Sequence, residues 1–431
     1  MTAPAIKDIH RRGACPGLSA PMATGDGLLV RFSPIGTIPL DAFGSLCDAA
    51  KRYGNGIIEV TARGNIQVRG LSAATAPEFA DAVAALDISV GDGIPIVCNP
   101  LAGLDPAELI DANTVAADLR KALARSSLAS RLSPKVSIAI DCGGAYQLDV
   151  PADIRLRPLS NGRSLRIEVA GHELGAAVID DVVVVVMRLL EVVARHGRQA
   201  RARDIVPAEG ITAFRAAIAD LLIPVSHYES GEPALDSRLR RNERSLIGAS
   251  RQGDGSLACG IALPFGHADA HSLQQLTTAA RTSGAHGFRT APSRAMLAIG
   301  VTEEKLASFV SDAKDLGFIV DAADPRRHVV ACAGAPSCAS AHIAARAMGP
   351  NIAAAAAPYL KSGFKIHVSG CAKGCAHPRS AALTIVGTEA GCALVANGSA
   401  RDTPFMTVAG NELPEKIAGL IRDLKCGVGH G

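Results

Sequence analysis

Apolar residues recur along this chain at two spacings. From Leu40 to Tyr53 they return every three or four positions, the period of a helix with one buried face, and Ala76–Leu86, Ala268–Ser283 and Thr302–Leu316 show the same pattern. Short apolar runs at Gly27–Phe32 and Leu257–Leu263 read as strands, as do Pro134–Ile140 and Ser164–Val169. Val115–Leu128 and Asp180–Arg195 read as further helices. In the second of these, the valine run Val182–Val186 continues to Val193, broken by Arg188 and Glu191. It is too short to cross a bilayer and fits a buried helix behind Asp180 and Asp181.

The order of these elements repeats. Gly54–Leu71 aligns without gaps to Gly284–Val301. Each copy follows a strand and a helix and precedes another helix. Two such units fit one sheet about a pseudo-twofold axis, each followed by a mixed α/β lobe. The half-domains are expected at 13–86 and 255–316, and the lobes at 87–245 and 317–431. Ser237–Gly255, rich in Arg, Asn, Ser and Gly, reads as a solvated linker between the halves.

One polar stretch departs from the usual exposed strand. Thr61, Arg63, Asn65, Gln67 and Arg69 alternate with Ala62, Gly64, Ile66 and Val68, which in a strand puts the five polar groups on one face. Asn and Gln beside two arginines suit a cavity wall better than a plain solvated face. Arginine grips carboxylates and other oxyanions through two parallel hydrogen bonds. Arg11, Arg12, Arg31, Lys135, Lys373, His377 and Arg379 are further candidate anion binders.

The strongest chemical signal is a set of four cysteines. Cys332 and Cys338 form C-x5-C, and Cys371 and Cys375 form C-x3-C in a separate, later segment. Four thiolates from two loops suit a cubane iron–sulfur cluster, and small neighbours such as Gly334, Ala335, Ala372 and Gly374 let backbone amides approach its sulfides. Structural zinc usually takes tighter C-x2-C or C-x4-C knuckles, so zinc fits less well. An odd total of 11 cysteines and an N-terminal stretch without the apolar core of a signal peptide point away from disulfides and toward a reducing cytoplasm. Cys15, Cys47, Cys98, Cys142, Cys259, Cys392 and Cys426 have no paired spacing and read as small buried or incidental residues.

Composition narrows the partners. A net charge of +3 is too small to imply nucleic-acid binding, and 3% aromatic residues with no Trp leave little for base stacking. No Walker loop and no G-x-G-x-x-G between strand and helix is present, so reducing electrons are not expected from a nucleotide bound by this chain. Neither nucleic acid nor membrane is an expected partner.

With the cysteine pattern, the repeat and Thr61-Ala-Arg-Gly-Asn-Ile-Gln67 in hand, the chain resembles the sulfite/nitrite reductase superfamily from about residue 13 to 425. The resemblance implies an α+β fold with duplicated ferredoxin-like half-domains and two α/β lobes, one carrying a 4Fe-4S cluster on Cys332, Cys338, Cys371 and Cys375. Within the superfamily it is most similar to the cobalamin-biosynthesis branch. The similarity lies in Arg12–Pro16, Ser19–Met22, Thr24–Arg31, Pro100–Asp105 and His367–Pro378. Sulfite reductases usually carry Pro and Asn where Ala372 and Lys373 stand, and a second lysine where Ser137 stands. An arginine expected near Gly93–Val97 is also missing, leaving a pocket for a small oxyanion incomplete.

The branch implies a dioxygen-dependent monooxygenase that converts precorrin-3A to precorrin-3B, with NADH as formal electron donor. It hydroxylates carbon 20 and closes a lactone from a ring-A acetate. A tetrapyrrole would then occupy the place of sirohaem as substrate. Arg31, Arg63, Asn65, Gln67, Arg69, Lys135 and Lys373 are the expected substrate-binding residues, with Arg63, Lys135 and Lys373 closest to catalysis. The family implies an additional mononuclear non-haem iron, for which His267, His271, His286, His328, His342, His367 and His377 are all candidates. A separate reductase or electron-transfer protein is the expected electron source. The alternative is a sirohaem-dependent sulfite or nitrite reductase.

Overall fold

A computed structural model describes residues 16–223, 245–360, 364–410 and 412–425. Arg11, Arg12, Cys15 and Cys426 lie outside them, as does the 237–244 part of the expected linker.

The repeat is realised as two sheets that exchange a strand. The first runs Met22–Thr24, Gly27–Pro34, Ile66–Leu71, Ile57–Val60 and His267–Asp269, and the second runs Gly248–Arg251, Leu257–Ala262, Ala295–Val301, Gly287–Ala291 and Ile38–Pro39. So each half lends a short strand to the other, and the single sheet expected from the repeat is two. The exchange is reciprocal at the level of residues. Ile38 pairs with Phe288 and Ala268 with Ile58. Leu40 N–H donates to His286 O (3.2 Å) and Ala270 N–H to Gly56 O (2.8 Å). Ile38 and Ala268, Ile58 and Phe288, Leu40 and Ala270, and Gly56 and His286 are all equivalent positions in the alignment of Gly54 with Gly284. Each bond is thus matched by its image, as a pseudo-twofold axis requires.

The helices on these sheets follow from the apolar period. Leu40–Tyr53 buries Leu40, Phe43, Leu46 and Cys47, and Ala270–Thr282 buries Leu273, Leu276 and Ala280. The two pack together over one core shared by both halves, where the rings of Phe43 and Phe288 lie 5.0 Å apart. Gly248–Arg251, expected as linker, is a strand paired with Leu257–Ala262, because its extended backbone completes the sheet edge.

Each half is followed by a lobe of one pattern: two parallel pairings, then two antiparallel. In the first the strands are Ile96–Cys98, Ile138–Ile140, Ile154–Pro158, Ser164–Val169 and His172–Val178. In the second they are Val329–Ala331, Ile366–Ser369, Ala381–Thr388, Gly391–Gly398 and Met406–Val408. The valine run becomes helix Val182–Arg195, with Val185, Val186, Leu189, Leu190 and Val193 buried against the first lobe's sheet. Burying such side chains stabilises by about 1.5–3 kcal/mol each. Among the described residues no helix is long and apolar enough to cross a membrane.

Candidate active site

Two parallel strands of the second lobe set the cysteines side by side. Val329–Ala331 and Ile366–Ser369 run in the same direction, so the loops leaving their ends, which begin at Cys332 and Gly370, are neighbours. Cys332 N–H donates to Val368 O (3.1 Å), His342 N–H to Gly370 O (2.8 Å), and Gly370 N–H to Cys332 Sγ (3.1 Å). Glycine is needed at the two close approaches. A Cβ on Gly334, which has φ +70°, would lie 2.3 Å from Ala345 N, and one on Gly370 would lie 2.6 Å from Ala341 Cβ. Burial pushes the Cys332 thiol up, with Cys338 and Cys371 adding to it; burial raises Cys375 too, helped by Cys371 and Cys338 and opposed by Lys373. The two cysteine loops are thus bonded side by side.

That donor set fits a four-iron cluster. It offers four thiols, amides turned toward sulfur and side-chain-free backbone around them. Among the described residues no three His, Cys, Asp or Glu side chains converge on a single ion. No residue is therefore assigned to a mononuclear iron.

Facing these loops is the polar face of the first half-domain. The five-residue alternation does not run as one strand. Thr61–Asn65 is a turn, closed by Thr61 N–H to Asn65 O (2.9 Å) and Gly64 N–H to Thr61 O (3.0 Å), with Gly64 at φ +82°. Only Gln67 and Arg69 share a strand face, while Ile66 and Val68 point into the core. Glu59 lies opposite Gln67 on the neighbouring strand, and Arg31 lies opposite it on the other side.

These groups form one buried network. Arg31 Nε donates to Gln67 Oε1 (2.6 Å), and Gln67 Nε2 donates to Glu59. Arg346, from helix Ala345–Ala356 of the cysteine lobe, donates to Glu59 Oε1 at 2.7 Å. Arg69 holds Asp26 through two bonds (3.0 and 2.8 Å) and reaches Ser337 O at 2.6 Å. Burial alone would raise the Glu59 carboxyl, but Arg346 and Arg69 hold it below the ordinary carboxylate range.

The matching face of the second half is apolar. Where the repeat places the equivalents of Gln67 and Arg69 stand Leu297 and Ile299, both buried in a cluster with Leu246, Ile247 and Ile319. Of two faces built alike, one is charged and polar and the other apolar. The corresponding turns meet between them, where Ser293 N–H donates to Ala62 O (3.0 Å).

The other predicted residues are dispersed. Arg63 donates to Pro151 O (3.1 Å), tying the turn to the first lobe. Asn65 accepts from Ser33 (2.9 Å). Lys373 is exposed between two cysteines and donates to Ser340 Oγ (3.2 Å). Lys135 is exposed in a turn, because the strand expected from Pro134 starts only at Ile138. Ser137 is buried, and its N–H donates to Asp153 (2.9 Å), which pairs with Arg201 at 2.6 Å. The place of the reductases' second lysine is thus part of a folded polar core. Among the histidines, His367 is fully buried, neither ring nitrogen has a partner among the described residues, and its ring lies 5.7 Å from that of His377. Burial pushes His267 and His367 down to about 4. Sequence reasoning missed Asp26, Glu59, Arg294 and Arg346. Only Asp26 carried a signal, inside Thr24-Gly-Asp-Gly.

Comparison with known proteins gives first the class. Residues 20–86 match the nitrite/sulfite reductase ferredoxin-like half domain. The fold is that of the Mycobacterium tuberculosis NirA protein, with TM-score 0.75 and 17% identity, covering 92% of this chain and 81% of that one. The chain is therefore a protein of the sulfite/nitrite reductase fold. A precorrin-3B synthase from a Sinorhizobium species is 36% identical over 425 residues, 96% of this chain and 88% of that protein. Ferredoxin–nitrite reductase of Synechococcus elongatus is 25% identical over 392 residues, covering 83% and 75%. The chain belongs to the precorrin-3B synthase family.

Proposed function

We propose that this protein oxygenates precorrin-3A to precorrin-3B in the cytoplasm, hydroxylating carbon 20 and closing the lactone. The observation that carries the reading is the apposition of the Arg31–Gln67–Arg69 face to the four-cysteine loops, joined by Arg69 and Ser337. It is supported by the 36% identity to a precorrin-3B synthase.

Cys332, Cys338, Cys371 and Cys375 would hold a 4Fe-4S cluster, which when bound supplies electrons one at a time. Lys373 places a cation beside that negative charge. Arg31, Arg63, Asn65 and Gln67 bind and orient the carboxylate arms of the macrocycle, and Lys373 binds from the opposite wall. Arg69 contributes positive potential while its own donors hold Asp26 and the cysteine loop. Lys135 would join only at the rim. Per dioxygen, two electrons and two protons are consumed; one oxygen enters the product and the other leaves as water. A separate reductase or ferredoxin-like protein delivers the electrons, with NADH as the formal source.

A sirohaem-dependent reductase is the second reading, favoured by the match to a nitrite reductase and opposed by the buried Ser137 where a second lysine would stand. The visible spectrum of protein purified and reconstituted under argon separates the two. A broad brown shoulder, with stoichiometric binding of added precorrin-3A, is expected. Soret and long-wavelength bands from a resident tetrapyrrole would overturn the proposal.

A further inference from the structure

The turn between the second half's central strands holds a residue that is expensive to place and whose side chain has no bonded partner among the described residues. Ser293 and Arg294 have φ of 62° and 64°, in the left-handed region that favours glycine. The counterpart of Arg294 in the first half is Gly64, at φ 82°. The same backbone bend is thus made with glycine in one half and arginine in the other. A second glycine makes room for the side chain: a Cβ on Gly266 would lie 2.6 Å from Arg294 Cδ and 3.0 Å from Nε.

Among the described residues the Arg294 guanidinium makes no hydrogen bond or ion pair, whereas Arg69, Arg289, Arg326, Arg327 and Arg346 all do. It is half-buried at the meeting of the two halves and the cysteine lobe. Burial and the like charge of Arg346 push its pKa down, and among the described residues the carboxylate that opposes them is Glu59. Glu59 is already engaged by Arg346 at 2.7 Å and by Gln67. Lys365, His367 and His377, all on the cysteine lobe, are in turn disfavoured as cations by Arg294. Strain of this kind persists where a site uses it, and a half-buried guanidinium among other cations is set up for an anion.

We infer that Arg294 is an anion-binding residue and takes a carboxylate arm of the substrate from the side of the second half. This rests on the tetrapyrrole reading above and adds a group that the polar alternation did not contain. The apolar face of the second half then contributes one charge, from its turn.

The test is anaerobic equilibrium binding of precorrin-3A to the reconstituted protein and to the Arg294→Gln and Arg294→Gly variants, with thermal melting of each. Charge-assisted pairing predicts binding about ten- to a hundredfold weaker in both variants. Melting should be unchanged in Arg294→Gln and raised in Arg294→Gly, where strain is relieved. Arg294→Lys should recover part of the affinity. Wild-type affinity in Arg294→Gln overturns the inference. So does weakened binding with a lowered melting temperature in both variants, which would mark a structural role. Inorganic phosphate stabilising wild type but not Arg294→Gln, with precorrin-3A affinity unchanged, would make a free anion the ligand and also overturn it. If wild type fails to bind precorrin-3A, the functional reading falls first, and this inference with it.

Discussion

Arg69 and Ser337 stand 268 residues apart in the chain and are joined by a 2.6 Å hydrogen bond. Ser337 precedes Cys338, and the same carbonyl also accepts from Gly25 N–H at 3.2 Å. Gly25 leaves no space for more, since a Cβ there would lie 2.6 Å from Ala339 N. The first half-domain therefore fixes the first cysteine loop through a buried arginine whose charge Asp26 balances.

Replacing Arg69 by Met keeps its bulk, strands Asp26 and leaves Glu59 to Arg346 and Gln67. Removing one partner of a buried ion pair costs about 3–5 kcal/mol. Urea unfolding should show a loss of that order, partly recovered in Arg69→Met with Asp26→Asn. Iron content after reconstitution should fall as well. Unchanged stability would make the pair a surface accident.

Serine at Cys332, Cys338, Cys371 or Cys375 should remove the brown chromophore and the conversion of precorrin-3A together. Loss of one thiolate leaves one iron without its protein ligand and the cluster labile. The cluster assignment fails if two of the four variants keep full absorbance and iron.

Glu59 gives a pH prediction. Burial opposes its ionisation, but Arg346 and Arg69 outweigh it, so its folded pKa lies below the ordinary value. The folded state then binds fewer protons than the unfolded chain. The stability it contributes is complete above the ordinary carboxylate range and is lost as pH falls through the folded value. Between pH 7 and about pH 3, wild type should lose more unfolding free energy than Glu59→Gln. Parallel losses in the two proteins would contradict the network.

How much of this is legible in the sequence depends on range. Helix Leu40–Tyr53 and strand Ser164–Val169 match the sequence reading residue for residue, because local period sets them. The internal repeat is legible as pattern, and the reciprocal pairing of Ile38 and Ala268 gives it physical form. The polar alternation reads as one strand because polar and small residues continue their rhythm through the turn, where Gly64 is the only local sign. Glu59 meets Arg346 across 287 residues, and no local pattern marks such a pair. Arg294 is hidden for the opposite reason: its turn aligns with the first half's, but the residue itself does not.

The proposed electron route, through a separate protein, gives a further prediction. NADH added to the pure protein should neither reduce the chromophore nor support turnover. A ferredoxin or flavodoxin with its reductase should do both, through a small and transient encounter. Rapid bleaching by NADH alone would reveal a nucleotide site on this chain.

We propose that this chain places a tetrapyrrole against an electron-delivering lobe for oxygenation. Mass spectrometry of the product formed from precorrin-3A under ¹⁸O₂, with a chemical reductant supplying electrons, tests it most directly. The expected product is precorrin-3B carrying one labelled oxygen at carbon 20, with none formed by the Cys375→Ser variant. Product without label, or precorrin-3A recovered unchanged while sulfite or nitrite is reduced, would contradict it.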